Sequence, residues 1–266
     1  MNNKNVWVKS KHESYIPIRN MFGSLPFSAV ARFGSVTEVA DVDVECNTIE
    51  AINKSSDKRL MKQAFDVGGV LHAQWFPDIP TFEQMGSGAF PIVAKHPMGS
   101  RGKGVYLIKD KQSYDNWLSK RTHTNYIFEE FFNYGSEYRL YCTQNECFFA
   151  VRKLLKTGVV KNRWKKGGDN TVWVNPLNPL FEMPLCFSEM VEESCKAIRA
   201  VGLDIGAVDV KVQKRLKGDG TPREKQMFVV LETNSAPALE GHRTVSLVQQ
   251  QVLKIFWDKF IAKQSK

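Results

Sequence analysis

The sequence predicts an α+β protein, with sheets built from strands in meander order and helices layered against them. Three observations predict it. Apolar runs at Phe90–Lys95, Val105–Ile108, Tyr126–Phe132, Tyr138–Cys142 and Cys147–Leu154 follow one another with one short helix, Ser113–Lys120, among them. That is antiparallel connectivity and not the strand–helix alternation of a doubly wound parallel sheet. The stretch Phe187–Val201 then places Met190, Val191, Cys195, Ile198 and Val201 at helical spacing. Two more strands follow it, Ile205–Gln213 and Met227–Glu232, joined by a charged turn around Gly218–Gly220.

The other elements read in order. Residues 1–50 mix short apolar runs with turn residues, and Ala29–Phe33 reads as a buried strand ending at Gly34-Ser35. Thr48–Phe65 is helical through Ile49, Ile52, Leu60, Met61, Ala64 and Phe65. Its polar middle, Asn53–Asp57, is a break at which Ser56 or Asp57 caps a second helix. Val70–Phe76 reads as a strand and Pro77–Pro80 as a turn; Gln144-Asn145 joins two strands. Lys156–Asp169 reads as a loop, and Thr244–Ala262 as a closing amphipathic helix.

Composition bounds the function. The chain has 266 residues, 42% hydrophobic and 24% charged, enough for one large domain or two compact subdomains. No apolar run approaches the length of a membrane span, and nothing like a signal peptide opens the chain. The five cysteines, Cys46, Cys142, Cys147, Cys186 and Cys195, have no metal-site spacing and read as reduced cytoplasmic thiols. The net charge of +9 favours an anionic partner: a nucleotide, an acidic peptide or nucleic acid.

Two segments carry chemistry. Lys95 ends a strand and is followed by His96-Pro97-Met98-Gly99-Ser100-Arg101-Gly102-Lys103-Gly104. Glycines let backbone N–H groups close on phosphate oxygens, and the lysine supplies a fixed positive charge. The pattern is not G-x-x-x-x-G-K-[ST], so it is no P-loop, and alone it reads equally as a flexible hairpin. The second segment is acidic. Asp209 lies within one strand, and Glu232-Thr233-Asn234 ends the next, with Glu232 and Asn234 on one face by alternation. If the strands pair, Asp209, Glu232 and Asn234 form a hard-oxygen site suited to Mg²⁺ on phosphate oxygens; the bland reading is a solvated strand end.

Taken in order, these residues resemble the ATP-grasp superfamily, and within it the ribosomal-protein glutamate ligases. Glu232-Thr233-Asn234-Ser235-Ala236-Pro237-Ala238-Leu239-Glu240-Gly241 resembles E-V-N-S-S-P-G-L-E-G. Pro91–Lys95 with its loop resembles P-x-V-x-K … G-S-x-G-x-G-V, and Asp57-Lys58 resembles the family's D-K. The resemblance implies that ATP is held by Lys58, Lys95, Gly99, Ser100, Gly102 and Gly104. It implies that Glu130 accepts from the adenine amino group, with Phe131 and Phe132 in the hinge, and that Glu137 meets the ribose. Asp209, Glu232 and Asn234 would hold magnesium, as two ions, with Mn²⁺ the alternative. Arg152, Asn162 and Arg163 would face the acyl phosphate and the substrates. His96, His242 and Arg243 read as structural or solvent-facing residues.

The implied fold has two α+β subdomains gripping the nucleotide, 56–135 with the glycine-rich loop and 136–266 with the metal site. Only residues 1–55 stand where relatives carry a full pre-grasp domain, a departure that touches the substrates more than the nucleotide. Alanine at 207, where D-alanine ligases carry arginine, argues against that assignment. The implied activity is ATP-dependent joining of a carboxylate to an amine in the cytoplasm, through an acyl phosphate, with an amino acid or an acidic peptide as acceptor. Two alternatives stay open: an ATP-grasp small-molecule kinase, and a basic module that binds nucleic acid or another polyanion. Against the second, no ribbon of alternating aromatic and basic residues is present.

Overall fold

The protein is described by a computed structural model over residues 6–10, 27–85, 88, 90–99, 102–120, 125–155, 171–236 and 254–262. Strands β1 (Val6–Ser10), β2 (Ala29–Phe33) and β3 (Val44–Cys46) form a parallel sheet with β2 in the centre. Only β2 was legible as a strand; its five residues are all buried. Arg32, in the middle of that strand, is 1% exposed and is tolerated because Glu45 of β3 pairs with it at 3.0 Å. Asn47 then fastens this sheet to the rest. Its amide donates to Arg32 O and Ile205 O, and its oxygen accepts from the N–H groups of Asp204 and Ile205.

The predicted helix break is real. Helix α1 (Ile49–Ser56) is capped by Thr48, and α2 (Lys58–Gly68) by Asp57, whose carboxylate accepts from the N–H groups of Arg59 and Leu60. Gly69, at φ 63, ends α2 in the left-handed conformation that favours glycine. The strand expected over Val70–Phe76 forms only at β4 (Trp75–Phe76); upstream, His72 makes a single bridge to Val230.

A short helix α3 (Phe82–Met85) leads to a four-stranded antiparallel sheet. Its strands are β4, β5 (Ile92–Lys95), β6 (Val105–Ile108) and β7 (Ile127–Glu130), in the order β4-β7-β5-β6. Helix α4 (Lys111–Ser119) covers one face, packing Tyr114 and Trp117 on Ile92, Ala94, Ile108 and Phe128. Val93, Lys95 and Glu129 are left for the other face.

Strands β8 (Ser136–Thr143), β9 (Cys147–Leu155), β10 (Thr171–Val174), β11 (Ile205–Val212) and β12 (Phe228–Asn234) form an antiparallel sheet in the order β10-β9-β8-β11-β12. Helix α5 (Phe187–Val201) packs with α1 and α2 on the face carrying Tyr138, Leu140, Val208, Val210 and Val212. On the opposite face, Tyr141, Val151 and Ala207 pack under β2 and Trp257 of α6 (254–262). That face turns from apolar to charged at Asp209. The expected loop at Lys156–Asp169 and residues 244–253 of the closing helix lie outside the described residues.

Candidate active site

The acidic trio is brought together by strand pairing. Asp209 stands directly opposite Glu232, and Ala207 opposite Asn234, with a bulge between Asp209 and Val210. All three side chains therefore project from one face at the edge of the large sheet. Each is already engaged. Asp209, 5% exposed, accepts two bonds from the Arg139 guanidinium, at 2.6 Å and 2.8 Å. Asn234 Oδ1 accepts from the Ala236 N–H at 2.9 Å. Glu232 lies 3.6 Å from the Lys58 ammonium. Burial disfavours the Arg139 cation, but the Asp209 charge outweighs it and holds the guanidinium protonated. Arg139 also stacks on Trp173, its Cζ 4.9 Å from the ring centroid, and Lys153 approaches the same ring at 5.5 Å.

Lys58 links this edge to the glycine-rich loop. Asp57 caps α2, so Lys58 occupies the first helical position, where its N–H bonds to Pro97 O at 3.1 Å and its ammonium donates to Gly99 O. The loop is tied at its neck by His96 N–H to Gly104 O at 2.8 Å and within by Gly99 N–H to His96 O. The His96 ring accepts from the Met98 N–H, the structural role expected of it. Gly104 sits at φ 72, and a Cβ there would stand 2.7 Å from His96 Cβ.

Lys95 points to the same side, and its ammonium donates to Glu129 at 2.6 Å. Alternation explains why the partner is Glu129: it shares the Lys95 face of the small sheet, whereas Glu130 lies on the other face and is exposed. Glu129 is 2% exposed, and Lys62, fully buried one turn after Lys58, approaches its second oxygen at 3.5 Å. Burial alone would raise the Glu129 carboxyl, but Lys62 and then Lys95 more than offset it and bring it down to about 2. Burial brings the Lys62 ammonium down to about 8, against the pull of Glu129. Lys211, two residues beyond Asp209 on β11, adds a further cation, its ammonium 4.0 Å from the Tyr134 ring centroid.

Several expected residues fall differently. Glu137 is on the charged face of the large sheet, paired with Lys153 at 2.8 Å. Arg152 stands opposite Tyr138 on the neighbouring strand, hence on the other face from Asp209, and binds Leu180 O, Ser136 Oγ and Glu182. Alternation thus turns Arg152 away from the side where the acyl phosphate was expected. The Phe131 N–H is bonded to Pro91 O, and Phe132 follows it half-buried. Ser100, Asn162, Arg163, His242 and Arg243 lie outside the described residues. The sequence reading gave no role to Arg139, Lys62, Lys211 or Trp173. Arg139 follows Glu137 by two residues, the spacing of one strand face, and Lys62 stands one helical turn after Lys58, so spacing held a signal for both.

The electrostatic balance points to an anion. Arg139 with Asp209 and Lys153 with Glu137 form balanced pairs, Lys211 stands opposite Glu137 on the neighbouring strand, and among the described residues Lys58, Lys62 and Lys95 stand with Glu129 and Glu232. Counted over these described groups, six cations against four carboxylates leave positive charge in a largely buried space, which a phosphate chain would neutralise. Among the described residues no three His, Cys, Asp or Glu side chains converge on a metal. Two carboxylates and an amide oxygen remain a fitting partial shell for a hard divalent ion whose other ligands are phosphate oxygens and water. Among the described residues no helix is long and apolar enough to cross a membrane.

The chain is similar to known proteins in sequence and in fold. No family model matches the chain. It is 25% identical over 232 residues to a protein of Parasynechococcus marenigrum (strain WH8102) described as a probable alpha-L-glutamate ligase, covering 79% of this chain and 44% of that one. It is 25% identical over 207 residues to the ribosomal protein bS6–L-glutamate ligase of Escherichia fergusonii, covering 73% of this chain and 60% of that one. The chain thus spans less than two thirds of the length of either relative. Among solved structures, it superposes on D-alanine–D-alanine ligase from Bacillus anthracis complexed with ATP, with a TM-score of 0.63 at 13% identity over 100% of this chain and 99% of that one.

Proposed function

We propose that this chain, which has the ATP-grasp fold and resembles the glutamate ligases in sequence, is an ATP-dependent carboxylate–amine ligase. The observation that carries the reading is the position of Lys58. One ammonium meets both the glycine-rich loop, at Gly99 O, and the carboxylate Glu232, so the phosphate cradle and the hard-oxygen shell share a wall.

In this reading the phosphates lie between Lys58, Lys95 and the loop residues Gly99, Ser100, Gly102 and Gly104. Asp209, Glu232 and Asn234 hold magnesium, which when bound neutralises charge on the β- and γ-phosphates. The base sits against the hinge at Phe131 and Phe132, and Glu129 takes the acceptor role first assigned to Glu130, because it is the glutamate that faces Lys95. Glu137 serves the ribose. The substrate carboxylate attacks the γ-phosphorus and releases ADP; the amine then attacks the acyl carbon and phosphate leaves. The protein contributes positioning and charge, and no covalent nucleophile is required.

Asn162 and Arg163, in a stretch rich in lysine, are assigned to the acceptor side, where an acidic peptide suits their charge. The relatives' names point to L-glutamate as one substrate and a peptide or protein as the other. Five free cysteines agree with a cytoplasmic setting. The test is ADP release from ATP in pools of amino acids and acidic peptides, with mass analysis of products. A new amide supports the ligase; a phosphorylated small molecule would identify a kinase instead.

A further inference from the structure

Glu129 is claimed by two lysines that are not equivalent. Lys95 donates to one oxygen at 2.6 Å and also stands at the mouth of the glycine-rich loop, so it must serve Glu129 and the nucleotide phosphates together. Lys62 faces the other oxygen at 3.5 Å from within the core, 0% exposed, and among the described residues neither its ammonium nor that oxygen has a hydrogen-bond partner. A fully buried ammonium is costly and is retained only beside a charge that needs it.

The remaining neighbours leave Lys62 little else to do. It rises from α2 one turn beyond Lys58, and its ammonium lies 5.7 Å from the Phe65 ring centroid. Glu232 stabilises its charge less than Glu129 does, and Lys95 opposes it. Among the described residues, the cations that act most strongly on Glu129 are Lys62 from α2, Lys95 from β5 and Lys211 from β11. Of these, Lys211 lies against Tyr134, and Lys95 is shared with the phosphates.

We propose that Lys62 is the standing counter-ion of Glu129, a positioning residue that holds this carboxylate in place for the nucleotide base while Lys95 is drawn to the phosphates. The inference rests on the nucleotide reading above and adds to it a residue that does not itself touch the ligand. Without Lys62, a phosphate that draws on Lys95 leaves Glu129 buried and poorly compensated, and the cheapest relief is a proton on Glu129.

The experiment is calorimetric titration with MgADP at several pH values between about 6 and about 7.5, in buffers of different ionisation enthalpy. The wild type binds with little proton exchange. Lys62→Met binds with uptake approaching one proton, and its affinity falls roughly tenfold per pH unit, as linkage requires. Glu129→Gln abolishes the uptake, and the double variant binds like Glu129→Gln alone. Lys62→Met with wild-type affinity and no proton uptake overturns the proposal, leaving Lys62 a packing residue. An affinity loss that persists undiminished in the Glu129→Gln background also overturns it, by placing Lys62 on the nucleotide. If the wild type fails to bind MgADP, the nucleotide reading itself falls.

Discussion

Replacing Arg139 with leucine tests the charged edge of the large sheet most sharply. Asp209 is 5% exposed and, among the described residues, takes both its bonds to side chains from this one guanidinium. Removing the cation strands a buried carboxylate, which costs about 3–5 kcal/mol. An unfolding entropy of ~2.1 cal/mol/K per residue gives ~0.56 kcal/mol/K over 266 residues, so the expected fall in Tm is about 5–9 °C. Two controls separate charge from packing against Trp173. Asp209→Asn in the Arg139→Leu background recovers much of the loss, because the stranded charge is gone. Millimolar Mg²⁺ raises the Tm of Arg139→Leu more than that of the wild type, because the ion replaces the missing cation. A melt within about 2 °C of wild type, or Arg139→Leu indifferent to Mg²⁺, would refute the account of this edge.

Three further outcomes follow from the site. The Glu129 carboxyl is held at about 2, below its ordinary value, so its contribution is present above about pH 4.5 and is lost as pH falls towards 2; the shift corresponds to about 3 kcal/mol. Acid melts of Glu129→Gln should therefore be flatter over that window than those of wild type. Gly104→Ala forces an L side chain into φ 72 against His96, costing about 1–2 kcal/mol from the backbone alone, and should shrink the thermal shift given by MgATP. Glu232→Gln should nearly abolish turnover yet still bind ADP, and should change stability by less than about 1 kcal/mol, since Glu232 is 40% exposed.

Much of this site was legible because its signals are local. Asp57 announced a helix cap, and the cap fixes Lys58 beside the loop. Alternation within Glu232-Thr233-Asn234 and within Ile205–Val212 placed the acidic trio on one face once the strands paired. What stayed hidden depends on long-range pairing. The parallel sheet β1-β2-β3 pairs segments whose connections are too long for a local turn to set the pairing. The choice between Glu129 and Glu130 turns on which face of a four-residue strand meets Lys95, and Arg152 was misplaced for the same reason. A one-residue change of face cannot be read from the strand alone. The Arg139–Asp209 pair lies 70 residues apart in sequence, and Lys62 reads from sequence as an ordinary lysine of an amphipathic helix.

The central claim is that a carboxylate is activated by ATP and then transferred to an amine, and the direct test follows oxygen. Glutamate and acidic peptides carrying ¹⁸O in their carboxyl groups are incubated with the protein and MgATP, and the released phosphate is examined by mass spectrometry. Attack of the carboxylate on the γ-phosphorus, followed by departure of phosphate from the acyl carbon, moves one labelled oxygen into inorganic phosphate for each amide formed. Labelled phosphate in step with amide is the predicted result; unlabelled phosphate, or phosphate retained on a small-molecule product, would contradict it.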